Sequence, residues 1–131
     1  VRGRRNRRAR IKARDHTPED EYPLFSGYRA MWLFAMFDLP VVTKAQKKRA
    51  ARFRRDLLLR GFTMLQYSVY ARHCSSEAFA DGITAEVRQV LPDDGQVRLV
   101  AITDRQFGKM EVYRGKRAGP TEQPPPQLML F

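Results

Sequence analysis

An acid placed directly behind a long apolar run is positioned by that run, and Asp38 follows eight consecutive apolar residues, AMWLFAMF at 30–37. If the run is a central strand, Asp38 sits at its C-terminal end, where sheets commonly bind ligands and a carboxylate can ligate a hard metal. One carboxylate is too few for a magnesium site. A two-fold axis beside the strand would bring two copies of Asp38 together, leaving coordination positions for water and phosphate. The same acid also serves simply to end the strand ahead of Pro40, and the residues alone leave both readings open.

The second group with chemical potential is cationic. Between Thr43 and Arg60 the chain holds eight bases and a single acid, Asp56. Ion pairs at i,i+4 cannot account for that excess, and a solvated helix face normally mixes signs. Lys44, Lys48, Arg52 and Arg55 recur at helical spacing, with Lys47 and Arg54 beside them. A face of one sign built from these six residues fits contacts to phosphates.

Other chemistries lack their residues. There is no glycine-rich phosphate loop, no nucleophile elbow and no Cys/His metal spacing. His16 lies in a polar linker, and His73, at a strand end beside Cys74, reads as structural. Cys74 is the sole cysteine, so no intramolecular disulfide or multi-cysteine zinc site can form; it reads as a buried or half-buried small residue, compatible with a reducing compartment.

These residues need a scaffold, and 131 residues with 43% apolar content suffice for one modest core. The net charge of +11 makes a polyanion the default partner. Residues 1–14 contribute eight bases and no acid, so the remainder is only mildly basic. Residues 1–27 are expected to be a basic extension, disordered until bound, and either an arm that tracks a phosphate backbone or a charged start with no folded role. The eight-residue apolar run falls far short of the roughly 20 residues of a membrane helix. The basic start leads into polar residues rather than an apolar signal core. The expectation is a soluble, cytoplasmic protein without membrane contact.

Along the folded part, 30–37 reads as a strand apolar on both faces and so covered on both sides. Helices would cover one side, and a second copy of the chain is the economical cover for the other. Thr43 is a good N-cap for a helix to Arg60, ended by Gly61, with Gln46, Ala50, Phe53 and Leu57 on its packing face. FTMLQYSVY at 62–70 reads as a strand, bent or split near Gln66 and Ser68. Ser75 or Ser76 caps a second helix with Phe79, Ile83, Val87, Val90 and Leu91 at helical spacing. QVRLVAIT at 96–103 is a strand, and KMEVYR at 109–114 a further edge strand. This order is the ferredoxin-like βαββαβ plan of the α+β class, an antiparallel sheet with both helices on one face and an extra C-terminal strand, spanning 28–117. The remainder, 118–131, is a proline-rich tail whose apolar end, Leu128, Met129, Leu130 and Phe131, suits docking on a partner.

The ordered motifs MWLFAMFDLP, the Lys/Arg-rich helix ending LLLRGF, MLQYSVYAR, and VRLVAIT followed by DRQFGKM resemble the small universal CRISPR-associated protein of spacer acquisition, the Cas-two family, and in particular its type II members. The resemblance covers about residues 28–117. It implies a ferredoxin-like homodimer with one of two roles. One is a magnesium-dependent endonuclease on RNA or duplex DNA, with Asp38 as metal ligand and Ser68 nearby. The other is a DNA-binding structural subunit between two dimers of a Cas-one type integrase, holding prespacer and repeat duplex, for which the acid is dispensable.

Overall fold

The computed structural model of the chain describes residues 29–125. The basic extension at 1–27 and the apolar end at Leu128, Met129, Leu130 and Phe131 lie outside the described residues.

The expected first strand forms as β1 (Met31–Asp38). It pairs antiparallel with β3 (Val69–Cys74) on one side and β4 (Gln96–Thr103) on the other. With β2 (Thr63–Gln66) outside β3, the sheet has the order β2-β3-β1-β4. The segment at 62–70 is therefore split rather than merely bent, with the reversal at Tyr67 and Ser68.

Alternation along β1 divides the core in two. Met31, Leu33 and Ala35 face α1 (Lys44–Leu59) and α2 (Glu77–Arg88), packing with Phe53, Leu57, Ile83 and Val87. Both helices thus lie on one face of an antiparallel sheet, the ferredoxin-like arrangement expected. Phe53 and Leu57 are essentially inaccessible, and burial of each side chain contributes about 1.5–3 kcal/mol. The start of α1 is fixed by a capping box: the Gln46 backbone N–H donates to Thr43 Oγ1 at 3.1 Å, while the Thr43 backbone N–H donates to Gln46 Oε1 at 3.0 Å. Gly61, at φ +84°, ends the helix in a left-handed conformation, and a Cβ there would come within 2.9 Å of Arg72 Nε.

Trp32 and Phe34 face the other way. The chain itself covers part of that side through α3 (Asp104–Gly108), a five-residue helix that the sequence reading did not include. Its Phe107 stacks on Trp32 with ring centroids 3.9 Å apart and planes within 9°. The expectation that a second copy of the chain covers this side is thereby reduced to the part that α3 leaves open, where Val100 stays exposed.

Three further expectations change in detail. KMEVYR does not extend the main sheet, because β5 (Val112–Arg114) pairs with β6 (Arg117–Gly119) in a separate hairpin around Gly115 at φ +67°. That hairpin carries ordered structure past residue 117. Phe79 and Leu91, expected on the packing face of the second helix, are instead exposed; Phe79 lies under the Arg72 guanidinium at 4.7 Å. Among the described residues no helix is long and apolar enough to cross a membrane.

Candidate nucleic-acid interface

Asp38 ends β1 opposite Gln96 and is exposed. Two turns close around its backbone. The Phe37 N–H donates to the Ser68 carbonyl at 3.1 Å, joining the β2–β3 turn to the residue before the acid. On the other side Gly95, at φ +86°, approaches so closely that a Cβ would lie 2.6 Å from the Asp38 carbonyl oxygen and 3.0 Å from Leu39 Cα. Only glycine permits both that φ and that approach. The backbone is held and the carboxylate is left bare: among the described residues it makes no hydrogen bond or ion pair.

The neighbouring Asp94 is held differently. Arg49 grips it with both arms of the guanidinium, Nε to Oδ1 at 3.3 Å and Nη2 to Oδ2 at 2.9 Å. That hydrogen bonding holds the Asp94 carboxyl below its ordinary pKa against an opposing desolvation effect. It also fastens the second turn of α1 to the turn that contacts Asp38. Lys44, Lys47 and Lys48, in the first turns of α1, therefore belong to the same end of the molecule as Asp38.

The bases of α1 sort into two groups. Arg49 is committed to Asp94, and Arg60 donates to the Asp56 carbonyl at 3.0 Å and lies 3.7 Å from the carboxylates of Asp56 and Glu86. Lys44, Lys47, Lys48, Arg52, Arg54 and Arg55 have no hydrogen-bonding or ionic partner among the described residues. All but the half-buried Arg54 are exposed. Lys44, Lys48 and Arg55 project opposite the Ala50, Phe53 and Leu57 stripe, and the span from Lys44 to Arg55 is about 16 Å of helix. The result is a one-signed ridge facing away from the sheet. Such a ridge can meet phosphates without reading bases.

Magnesium requires several oxygen ligands in octahedral array. The Asp38 carboxylate is of the right chemical type and has no competing partner among the described residues, but it is alone. No cluster of three or more His, Cys, Asp or Glu side chains that could hold a metal occurs among those residues. The donor set fits a metal only when a second copy of Asp38 joins it.

At the opposite end of β1 an acid, a histidine and an arginine are engaged with neighbours. Trp32 Nε1 donates to Asp104 Oδ1 at 2.7 Å, and His73 Nε2 lies 3.9 Å from that oxygen with its ring edge-on to Trp32. Burial pushes the His73 pKa below its ordinary 6.5, the Asp104 charge opposing. Arg72 donates to the carbonyls of Arg60 and His73, both at 2.7 Å, tying the end of α1 to β3. Cys74 is fully buried, and burial raises its thiol pKa. A concavity of about 770 Å³ lies at this end, lined by Trp32, Thr63, Leu65 and His73 and flanked by Glu122 and Pro125. It is remote from Asp38. Sequence reasoning did not find the Arg49–Asp94 clamp or the close packing of Gly95. The DDG motif signalled a turn, but which helix it met depends on tertiary packing.

The family model described as CRISPR associated protein Cas2 matches residues 31–110, from the first residue of β1 to just past α3. The chain belongs to the Cas2 family. A CRISPR-associated endoribonuclease Cas2 of Parvibaculum lavamentivorans is 54% identical over 101 residues, covering 77% of this chain and all of the relative. Similar proteins, also named CRISPR-associated endoribonuclease Cas2, occur in Flavobacterium psychrophilum and Paracidovorax avenae. The former is 41% identical over 86% of this chain and 98% of its own length. The latter is 44% identical over 82% of this chain and its full length. The Cas2 match ends before the β5–β6 hairpin.

Proposed function

We propose that this Cas2-family chain is a nucleic-acid-binding structural subunit of CRISPR adaptation, acting as a homodimer that bridges dimers of a Cas1-type integrase and holds prespacer duplex. The observation that carries this reading is the division of the α1 bases. Two are neutralised internally, while six have no partner among the described residues, and of these Lys44, Lys48 and Arg55 form an outward ridge. Cations that stabilise no internal contact are available to displace counterions from a phosphate backbone, an interaction that favours binding irrespective of sequence.

A second reading is that the chain is a magnesium-dependent endonuclease, with Asp38 from both subunits holding the ion. The endoribonuclease names of the relatives and the bare Asp38 carboxylate favour it. Magnesium, when bound, would polarise a scissile phosphate and lower the pKa of a bound water. This chain's own part is to hold Asp38 at a rigid strand end, between the Ser68 and Gly95 turns.

One set of measurements separates the two. Duplex affinity is titrated against salt for the wild type, for Asp38→Asn, and for a Lys44→Gln, Lys48→Gln, Arg55→Gln triple variant. Cleavage of RNA and duplex DNA with magnesium, and spacer acquisition in cells, are measured on the same proteins. The triple variant is expected to bind weakly, with the log–log salt slope reduced by about 0.9 per lost phosphate contact, and to fail in acquisition. Asp38→Asn is expected to bind and support acquisition normally. Loss of acquisition by Asp38→Asn with binding intact would overturn the structural reading in favour of the nuclease.

A further inference from the structure

Arg49 occupies a boundary of α1. By helical spacing it lies on the flank between the outward ridge and the buried stripe of Ala50, Phe53 and Leu57. Its side chain stays 39% exposed even while paired with Asp94. Arg49, Arg52 and Asp56 line one wall of an open groove of about 260 Å³, whose other wall is the 89–93 segment with Leu91 and Asp93. Arg52 has no partner among the described residues. A phosphate that Arg52 binds in this groove stands beside the Arg49 guanidinium.

The other half of the pair reaches toward the sheet. Asp94 precedes Gly95, which packs so closely on the end of β1 that a Cβ would lie 2.6 Å from the Asp38 carbonyl oxygen and 2.7 Å from Leu39 Cδ2. The grip of Arg49 on Asp94 thus keeps this turn against the backbone of Asp38. A partly exposed ion pair contributes little net stability, and a phosphate offers the guanidinium the same bidentate geometry as a carboxylate. Asp56 and Asp93 in the groove repel a lone anion. A backbone whose other phosphates already sit on Lys44, Lys48 and Arg55 overcomes that repulsion, because it raises the effective concentration of phosphate beside Arg49.

We propose that Arg49 is a gated phosphate contact, held by Asp94 in the free protein and taken over by a nucleic-acid backbone seated on the α1 ridge, with the 93–95 turn then loosening from Asp38. The inference rests on the nucleic-acid-binding reading above. It adds a base which that reading leaves out, and a link from phosphate binding to the end of β1. By reciprocity, Asp94 is an internal competitor that lowers affinity for the ligand.

The test titrates a blunt DNA duplex against salt for the wild type, Arg49→Gln, Asp94→Asn and the double variant. Hydrogen exchange at 93–96 is followed in the full-length wild type, alone, with duplex and with inorganic phosphate. Arg49→Gln is expected to lower the log–log salt slope by about 0.9, as one phosphate contact is lost. Asp94→Asn is expected to tighten binding about two- to fivefold by removing the competitor, and to have no such effect in the Arg49→Gln background. Duplex is expected to speed exchange at 93–96, the reverse of the protection a covering ligand gives, and free phosphate to leave it unchanged. An unaltered slope in Arg49→Gln, unchanged or weaker binding by Asp94→Asn, or turn exchange that duplex slows or leaves alone would overturn the inference and leave the basic-ridge reading intact. Equal loosening by free phosphate would overturn the need for a backbone already on the ridge. A wild type that binds no duplex would remove both readings together.

Discussion

Two acids lie near opposite ends of β1 and have opposite fates. Asp104, at the Met31 end, accepts from the Trp32 indole and faces His73, and its helix carries the Phe107 ring that stacks on Trp32. Asp38 has a backbone held close against Gly95, yet its carboxylate makes no hydrogen bond or ion pair among the described residues. A polar group that is fully engaged contributes to stability and has little left to offer a ligand. A group held in place without a partner does the reverse. The contrast extends to the cations, with Arg72 spent on two carbonyls at one end and Lys44, Lys47 and Lys48 without a partner among the described residues at the other.

If that division is right, substitutions at the two ends should separate stability from binding. The largest effect is expected for Trp32→Ala, which removes a 5% exposed indole and its stacking on Phe107. It should cost about 3–5 kcal/mol in denaturant unfolding, with nucleic-acid affinity per folded molecule unchanged. A loss of affinity in the folded fraction would erase the distinction between the ends. Asp104→Ala comes next, at about 1–3 kcal/mol, because the Trp32 N–H is left without its acceptor. Asp104→Asn should cost less, since its amide oxygen can still accept.

A pH dependence follows from His73. Its folded pKa lies below 6.5, so the unfolded chain takes up the proton first as pH falls. Stability should therefore decline once the pH drops below about 6.5 and level off below the folded pKa, with a slope of at most about 1.4 kcal/mol per pH unit. Unfolding curves between about pH 7.5 and 5 check this, and His73→Gln should flatten that component. The smallest effect belongs to Asp38→Asn, with unfolding free energy expected within roughly 0.5 kcal/mol of wild type. A large destabilisation there would mean that Asp38 is a structural acid after all.

The sequence made the Asp38 end legible and the other end much less so, for a physical reason. Asp38 is placed by an uninterrupted apolar run, and α1 by Thr43, an apolar stripe and Gly61, all of which are local signals. The Trp32, His73, Asp104 and Phe107 group joins residues far apart in the chain, and no spacing rule reveals it. Its helix did leave a trace: Thr103 and Gln106 form the T-x-x-Q capping box, but the five residues of α3 are too few for a periodic pattern. KMEVYR was recognisable as a strand, while its pairing with Arg117–Gly119 depended on weighing the Arg114-Gly115-Lys116 segment as a turn. The six bases without partners among the described residues were nominated from charge excess. That Arg49 and Arg60 would be the internally paired ones required their partners' positions in space.

Cys74 gives this molecule a built-in clock. Its thiol is enclosed by the core between the sheet and the helices, and burial disfavours the thiolate. An alkylating reagent can modify it only when the core opens. Because it is the sole cysteine of the chain, its labelling rate would count opening events of the helix-covered core without interference. Addition of nucleic acid would then slow that rate only to the extent that binding on the outer ridge is felt by the interior.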